Sequence, residues 1–208
     1  MADYKKPDHW QMKARKEGYP ARSVYKLKEI DEKFGLFKTA RALKVLDLGA
    51  APGSWSLYVL RKMSKIALKN GFLAAADLSP LSREFDKGLF DGENFFFIQA
   101  DATTEQTKKI IFDKGPFSLI LSDAAPATTG NRTVDTARSL QLCEEVVDYA
   151  EKVLAPGGNL VFKVFQGGDS AELLKRMKQI FKTAKSFKPE ACRGESVETY
   201  YVGLGKKC

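Results

Sequence analysis

The sequence predicts an α/β domain built on a largely parallel sheet with helices on both faces. Two observations support this prediction. Short apolar segments, each the length of a buried strand, alternate along the chain with helical patterns. The first of these segments, Val45 to Leu48, is followed by the small-residue loop Gly49 to Gly53 and then by a helical pattern. A strand, a tight turn and a helix form the first unit of a nucleotide-binding sheet.

The loop from Gly49 to Gly53 is suited to binding a ligand. Small residues let the backbone approach a ligand closely, and the following helix has free N–H groups at its N-terminus. The spacing differs from the G-x-G-x-x-G dinucleotide fingerprint, and Pro52 removes one donor. Asp47 could take a ligand ammonium or hold the loop amides. The loop therefore suits a zwitterionic ligand better than a pyrophosphate, and an ordinary turn without a ligand is the alternative.

The remaining elements follow in order. Apolar residues at helical spacing predict a helix from Ser23, its candidate cap, to Gly35. The helix after the glycine loop is expected to end near Leu68, before a Gly. Further strands are expected at 72–76, 95–99, 117–122, 159–165, 185–188 and 199–204, and further helices at 104–112, 136–154 and 171–183.

The last strand is expected to run antiparallel to the others. No helical pattern separates 185–188 from 199–204, and the loop from Pro189 to Glu198 is too short for a right-handed crossover. Reversal brings the start of the last strand beside the carboxyl ends of the parallel strands. The expected architecture is a Rossmann-like, seven-stranded, mostly parallel sheet with its last strand reversed.

Acidic residues follow three of the predicted strands, at Asp77, Asp101 and Asp123. An acid at the end of the second strand is where a nucleoside-binding sheet recognises ribose hydroxyls. The loop after Asp123 is rich in Thr, Gly and Asn, and loops at this edge of an α/β enzyme carry its active site.

Lys163 is unusual because it lies inside an apolar strand. An unpaired buried ammonium costs several kcal/mol, and central parallel strands are covered on both faces. Lys163 therefore needs water, a carboxylate or a ligand, and a snorkelling edge lysine is the alternative. With the last strand reversed, Glu198 lies near Asp123 and Lys163, and Lys26 joins them if its helix packs over the same edge. Neighbouring charges tune a lysine pKa, and such a lysine can act as a general base toward a hydroxyl.

The composition disfavours several classes of protein. No apolar run approaches the ~20 residues that span a bilayer, and the polar first 16 residues are not a secretory signal. Cys143, Cys192 and Cys208 are too few and too scattered for a disulfide framework or a metal site. The only histidine is His9, which disfavours zinc and histidine-based catalysis. We expect a cytoplasmic protein without a metal or a membrane partner.

The net charge of +8 is concentrated at the two ends of the chain. It is +3 over residues 1–33, −1 over 34–174 and +6 over 175–208. Residues 1–20 are interpreted as a basic, partly flexible arm whose aromatic side chains can stack on bases. This distribution favours a polyanionic partner such as nucleic acid, and solvated surface lysines are the alternative.

Motifs spread along the chain from residue 21 onward resemble one known family. It is the FtsJ/RrmJ family of ribosomal RNA large-subunit methyltransferases, which methylate a ribose 2′-hydroxyl using S-adenosylmethionine. The matching motifs are Ala21-Arg-Ser-Val-Tyr-Lys-Leu27, Asp47-Leu-Gly-Ala-Ala-Pro-Gly-Ser-Trp55, Ser122-Asp-Ala-Ala-Pro126, Val134-Asp135 with Arg138, Leu154-Ala-Pro-Gly-Gly158, Lys163-Val-Phe-Gln-Gly167, and Arg193 with Ser196, Glu198 and Tyr200.

The resemblance implies the S-adenosylmethionine-dependent methyltransferase fold and a catalytic tetrad. The tetrad falls on Lys26, Asp123, Lys163 and Glu198. Lys163 is the implied base that takes the 2′-hydroxyl proton, Asp123 and Lys26 position it and the ribose, and Glu198 supports the substrate side. The implied cofactor is S-adenosylmethionine. Its implied contacts are Gly49, Pro52, Gly53 and Trp55 in the loop, Asp77 at the cofactor ribose, Asp101 near the adenine and Asp123 near the methionine end.

The compact length, without an added RNA-binding module, favours a bacterial-type ribosomal RNA enzyme, and a monomer is expected. The implied target is a uridine in the A-loop of 23S ribosomal RNA in the large ribosomal subunit. The alternatives are the same chemistry on transfer RNA or messenger RNA caps, and a non-catalytic RNA-binding assembly factor. Two departures from the family concern substrate-loop detail and not the tetrad: Ala127-Thr128-Thr129-Gly130 replaces a stretch that carries Asn and Ser, and Cys192 stands where serine is common.

Overall fold

The computed structural model describes residues 8–37, 43–65, 70–127, 129–167, 169–194 and 196–208. Within these ranges the chain forms helices and one sheet. The strands are β1 Lys44–Leu48, β2 Phe72–Asp77, β3 Phe95–Gln99, β4 Phe117–Ser122, β5 Leu154–Phe165, β6 Phe181–Phe187 and β7 Glu198–Lys206. The helices are α1 His9–Lys16, α2 Val24–Phe34, α3 Ser54–Lys65, α4 Glu105–Phe112, α5 Arg132–Val153 and α6 Ser170–Ile180, with a 3₁₀ turn at Leu89–Asp91.

The sheet has seven strands in the order β3-β2-β1-β4-β5-β7-β6. β7 is antiparallel to both β5 and β6, and the other neighbouring pairs are parallel. The predicted seven-stranded sheet with a reversed last strand is confirmed. The strand order reverses between β1 and β4, and the crevice at such a switch point is where open α/β sheets bind ligands.

Helices cover both faces of the sheet and create two apolar cores. Side chains of α1, α2 and α3 pack on one face together with Val45 and Leu119. Side chains of α4, α5 and α6 pack on the other face together with Leu46 and Ile120. Successive residues of a strand point to opposite faces. The central strands therefore need continuous apolar runs, and this is why they were recognisable in the sequence.

The segment expected to be a partly flexible arm over residues 1–20 differs from that expectation where it is described. Residues 1–7 lie outside the described residues, but α1 begins directly after them. The side chain of Asp8 caps α1 by accepting a hydrogen bond from the N–H of Gln11 at 2.9 Å. Ala14 is buried, and the ring of Trp10 lies 5.0 Å from that of Tyr25. This part of the chain therefore packs on α2.

Several element boundaries also differ from the sequence predictions. α6 ends at Ile180, and β6 begins at once because Phe181 is buried and pairs with Lys206 of β7. β5 begins at Leu154, which pairs with Phe117 before an irregularity in the ladder. α5 begins four residues early because the side chain of Asn131 accepts hydrogen bonds from its first turn.

The ends of two further helices can be compared with the predictions. Ser23 stands at the N-cap of α2, but its side chain makes no capping hydrogen bond. Gly35 ends α2 with a left-handed φ of 66°, as expected of glycine at this position. α3 is described as far as Lys65, and its expected end near residue 68 lies outside the described residues. No helix within the described ranges is long and apolar enough to cross a membrane.

Candidate active site

A cavity of about 300 Å³ lies at the carboxyl ends of the strands, beside the switch point. This volume is at the lower end of the range for small-molecule pockets. Four residues predicted as cofactor contacts line it: Gly49, Asp77, Asp101 and Asp123. The strand-end positions that the sequence singled out therefore share one cavity.

Gly49 allows the loop after β1 to approach the loop after β4. Its φ of 74° is left-handed, and a Cβ added here would lie 2.5 Å from the Cβ and 2.6 Å from the Cα of Ala124. Cβ atoms in proteins do not approach other heavy atoms this closely, so the contact between the backbone at position 49 and Ala124 requires glycine. The N–H of Gly49 donates to the carbonyl of Ala76 at 2.9 Å. The close approach brings the two loops together at the wall of the cavity.

Two carboxylates at the ends of β2 and β3 organise another part of the wall. Asp77 accepts hydrogen bonds from the N–H groups of Ala51 at 2.9 Å and Ser79 at 2.7 Å. Asp101 accepts from the N–H and the hydroxyl of Thr103, both at 2.8 Å, and the backbone hydrogen bond holds the pKa of Asp101 below its ordinary value. Both residues therefore present carboxylate oxygens as hydrogen-bond acceptors at the cavity.

The other residues predicted as cofactor contacts in the glycine loop do not line this cavity. Trp55 is buried, and its indole N–H donates to the carbonyl of Ser23 at 2.9 Å. Pro52 accepts a hydrogen bond from the N–H of Ser82 at 3.0 Å. Gly53 has a φ of 105°, and a Cβ added there would lie 3.0 Å from the ring of Phe90. The contact of these three residues with a cofactor stays a prediction.

Asp47 has a different role from the two considered in the sequence. It is fully buried and accepts a hydrogen bond from the hydroxyl of Ser56 at 2.7 Å, and the loop amide of Ala51 is held by Asp77. Burial raises the pKa of Asp47 to about 7, and the charges of Asp123 and Asp77 act in the same direction. Asp47 is not among the residues that line the cavity.

This raised pKa predicts a pH-dependent stability. The folded state holds the Asp47 proton more tightly than the unfolded chain, whose ordinary pKa is 3.8. The contribution of Asp47 to the free energy of unfolding is therefore fully present below the unfolded-state pKa of 3.8, and it is lost as the pH rises through the folded-state pKa of about 7. We expect Asp47→Asn to flatten the fall in the free energy of unfolding between about pH 4 and 7, measured by urea denaturation. The exposed control Glu144→Gln should keep the wild-type slope, and an equally steep fall in Asp47→Asn would contradict the prediction.

The four charged side chains predicted to converge form two ion pairs. The Nζ of Lys163 lies 3.2 Å from Oδ1 of Asp123 and also donates to the Asp123 backbone carbonyl at 2.6 Å. The Nζ of Lys26 lies 2.7 Å from Oε1 of Glu198. In the β5–β7 ladder, Lys163 is opposite Tyr200 and Phe165 is opposite Glu198. Glu198 is therefore a diagonal neighbour of Lys163 on the same face of the sheet.

Tyr200 connects the two ion pairs, a role that the sequence analysis did not assign to it. Its hydroxyl donates to Oδ1 of Asp123 at 2.7 Å, and the Nζ of Lys26 lies 6.0 Å from the centre of its ring. Burial raises the pKa of Tyr200 well above its ordinary value, and the charges of Asp123 and Glu198 add to this. Tyr200 thus stays a hydrogen-bond donor. The sequence could have indicated this role, because Tyr200 lies two residues after Glu198 and therefore on the same face of the strand.

The loop before β7 is anchored to α2, which explains why Lys26 meets Glu198. The carboxylate of Glu29 accepts hydrogen bonds from the N–H groups of Glu190 at 2.6 Å and Ala191 at 3.0 Å. Glu29 lies nearly one helical turn after Lys26, so the helix and the loop that leads into Glu198 are joined beside the ion pair. Across the described parts of the chain, no group of three or more His, Cys, Asp or Glu side chains could hold a metal ion.

The fold and this site define the class of protein: it is an S-adenosylmethionine-dependent methyltransferase. The residues present fit that cofactor. Gly49 and Ala51 line the cavity, and residues this small let a ligand approach the backbone closely. The carboxylates of Asp77 and Asp101 can accept hydrogen bonds from hydroxyl or amino groups. Negative charge from Asp123 suits a cationic methyl donor.

Residues 19–206 match the family model described as FtsJ-like methyltransferase, and the chain belongs to this family. A protein from Treponema denticola named ribosomal RNA large subunit methyltransferase E is 50% identical over 204 residues, which cover 98% of this chain and 97% of that protein. A protein of the same name from Nitratidesulfovibrio vulgaris is 46% identical over 199 residues, covering 95% of this chain and 92% of that protein.

Solved structures support the fold. The chain resembles a crystal structure described as a ribosomal RNA methyltransferase from Plasmodium falciparum, with a TM-score of 0.72 and 24% identity, covering 90% of this chain and 98% of that chain. It also resembles human methyltransferase-like protein 13 in complex with SAH, with a TM-score of 0.53 and 14% identity, covering 78% of this chain and 72% of that chain. At these identities the likeness concerns the fold alone.

Proposed function

We propose that the protein methylates a ribose 2′-hydroxyl in RNA, at a uridine in the A-loop of 23S ribosomal RNA. The main support is the pair of ion pairs, Lys163–Asp123 and Lys26–Glu198, joined through Tyr200 beside the cavity. The four charged side chains of these pairs are only 11–16% exposed. Stability alone does not call for such a cluster, because hydrophobic residues of similar volume are often at least as stabilising as buried ion pairs.

Each of the four charged residues has its own role in the proposed reaction. When bound, S-adenosylmethionine supplies a methyl group that is already activated on a sulfonium centre. The neutral amine of Lys163 takes the proton of the attacking hydroxyl on its Nζ and becomes an ammonium, and Asp123 contacts that nitrogen through its carboxylate and its backbone carbonyl. Lys26, held by Glu198, orients the ribose. A general base typically contributes ~10²–10⁴-fold to a rate, and alignment of the hydroxyl with the methyl group contributes further.

The choice of ribosomal RNA rests on the relatives. Proteins 50% and 46% identical over nearly the whole chain are named ribosomal RNA large subunit methyltransferases. The basic ends of the chain suit a polyanion. We propose the large ribosomal subunit as the partner, the cytoplasm as the location and a monomer as the active form.

The test is transfer of a tritiated methyl group to isolated ribosomal subunits, followed by nucleotide mapping. The proposal expects a single label on a ribose 2′-oxygen of the 23S RNA in the large subunit, and none with Lys163→Ala. Label on transfer RNA or on capped messenger RNA would favour the same chemistry on another RNA. Tight binding of the subunit without any methyl transfer would favour a non-catalytic assembly factor.

The basic surface of α1 predicts a salt-dependent affinity for RNA. Lys13, Arg15 and Lys16 are exposed on this helix, and each phosphate contact adds to the dependence of binding on salt. We expect a steep fall in RNA affinity with salt, and a slope of log K against log salt that is lower by about 2 in the double variant Lys13→Gln, Lys16→Gln. Filter binding over a range of salt concentrations measures the slope. The exposed lysine Lys109 on α4 provides the control Lys109→Gln, and a wild-type slope in the double variant would contradict the role of α1.

A further inference from the structure

Helix α5 carries a buried polar stripe that the proposed reaction does not use. Asp135, Ser139 and Cys143 lie on one face of the helix because each is four residues after the one before, and Thr136 joins them three residues before Ser139. All four are buried. Buried polar groups need hydrogen-bond partners. Two chain segments supply contacts to this stripe: the loop after Asp123 and the end of the strand that carries Lys163.

The first segment is the end of β5, where α5 takes the place of a missing strand. β4 ends at Ser122, which pairs with Phe162 of β5, because the chain leaves the sheet at Asp123. Among the described residues, the backbone groups of Lys163 and Phe165 that point to this side therefore have no strand partner.

Side chains of α5 supply the missing partners. The hydroxyl oxygen of Ser139 accepts a hydrogen bond from the N–H of Phe165 at 3.2 Å. The thiol of Cys143 donates to the carbonyl of Lys163 at 3.2 Å. On the other side of β5, the N–H of Gln166 donates to the carbonyl of Val197, so the alternation of the strand continues. The backbone on either side of the Lys163 side chain is thus held between β7 and α5.

The second segment is the loop that follows Asp123. Oδ1 of Asp135 accepts hydrogen bonds from the N–H of Thr129 at 2.7 Å and from its hydroxyl at 2.9 Å, and Oδ2 accepts from the N–H of Gly130 at 3.1 Å. The backbone hydrogen bond from Thr129 is the main cause that holds the pKa of Asp135 below its ordinary value. The start of the loop contacts the glycine loop at Ala124, so the loop is held at both ends.

We infer that the buried polar stripe of α5 positions Asp123 and Lys163 relative to each other, with Asp135 acting on the first and Ser139 and Cys143 acting on the second. These three are positioning residues, because they reach the reacting groups only through the backbone. The inference rests on the proposed function, since the geometry that it explains is that of the base and its partner. The contacts of Lys163 Nζ with Asp123, at 2.6 and 3.2 Å, depend on both backbones staying in place.

The expected effect is on the chemical step. A displacement of about 1 Å at a reacting group can lower a rate by about 100-fold. We expect Asp135→Asn, Ser139→Ala and Cys143→Ala each to lower the single-turnover rate of methyl transfer by about 10-fold at saturating S-adenosylmethionine and RNA. The dissociation constant of S-adenosylmethionine, measured by calorimetry, should stay within about 2-fold of wild type in Ser139→Ala and Cys143→Ala, because the segment of Lys163 that they contact is not part of the cavity lining.

Cys143 offers a matched pair of variants. Cys143→Ser and Cys143→Ala both remove the sulfur and leave similar volumes, but only serine keeps a donor for the carbonyl of Lys163. If Cys143 positions Lys163 through the hydrogen bond, Cys143→Ser should retain most of the single-turnover rate and Cys143→Ala should lose it. Equal losses in the two variants would overturn this part of the inference in favour of packing alone. Gln141→Ala, on the exposed face of α5, is the control and should match wild type.

A second measurement does not depend on activity. Amide hydrogen exchange should be faster at Phe165 in Ser139→Ala than in Gln141→Ala, under conditions where thermal unfolding shows both to be folded. Unchanged exchange at Phe165 would overturn the inference even if the wild type methylates RNA. If the wild type methylates no RNA, the proposed function fails, and the exchange at Phe165 still decides whether α5 holds the end of β5.

Discussion

Lys163→Ala is expected to abolish methyl transfer and to leave S-adenosylmethionine binding intact. The substitution removes the amine proposed to take the hydroxyl proton, and with it a factor of ~10²–10⁴ for general-base catalysis together with its part in aligning the hydroxyl. Binding should survive because Lys163 is not among the residues that line the cavity. Single-turnover transfer of a labelled methyl group and calorimetry with S-adenosylmethionine measure the two quantities separately.

A second substitution separates the base from a simple positive charge. Lys163→Arg keeps a cation near Asp123, but a guanidinium stays protonated and cannot accept the proton. The proposal therefore expects Lys163→Arg to be inactive as well. Lys185→Ala, an exposed lysine on β6, is the control and should retain full activity. Near-wild-type rates in Lys163→Arg would show that the site needs a fixed charge, and measurable turnover in Lys163→Ala would remove Lys163 from the role of base.

Gly49→Ala is expected to have the largest effect on cofactor binding. The left-handed φ of 74° disfavours alanine, and the added Cβ would lie 2.5–2.8 Å from three atoms of Ala124, two of them in the backbone. Strain of this kind costs about 1–3 kcal/mol, and relief of the clash must also move the loop that follows Asp123. We expect S-adenosylmethionine binding to weaken by about 100-fold, which is about 2.8 kcal/mol, and the melting temperature to fall.

Gly88→Ala separates the clash from the strain. Gly88 has a similar φ of 79°, but nothing lies within 4 Å of a Cβ added there. This variant should therefore lose stability and keep its affinity for S-adenosylmethionine. Calorimetry and thermal unfolding on both variants give the comparison. If Gly49→Ala binds S-adenosylmethionine as tightly as Gly88→Ala does, the close approach of the two loops is not needed for the cofactor.

The sheet could be predicted from the sequence because its strands are apolar on both faces. Runs such as Leu119 to Leu121 show no alternation, which is typical of strands covered by helices on two sides. The reversal of β7 followed from the length of the loop before it. Lys163 could be recognised because a charged residue in such a run needs a partner. These signals lie in short segments, so they can be recognised in a single sequence.

Other features were missed because they depend on contacts between distant segments. α1 has few apolar residues, and its position depends on the packing of Trp10 against Tyr25. Asp47 reads as a ligand-binding acid at a strand end, but only the packed structure shows that it is fully buried against Ser56. The start of β6 could not be predicted because Phe181 fits the helical pattern of the preceding residues, and only its pairing with Lys206 of β7 places it in a strand.

The sequence alone determined the order of the strands, the direction of the last strand and the identity of the charged residues at the strand ends, because periodicity, loop length and an isolated charge are properties of short segments. The tertiary structure decided which of these charges meet. The pairing of Lys26 with Glu198, the link through Tyr200 and the support of Lys163 by α5 join segments far apart in the chain. Such contacts depend on how helices pack on the sheet, and no short pattern encodes that packing.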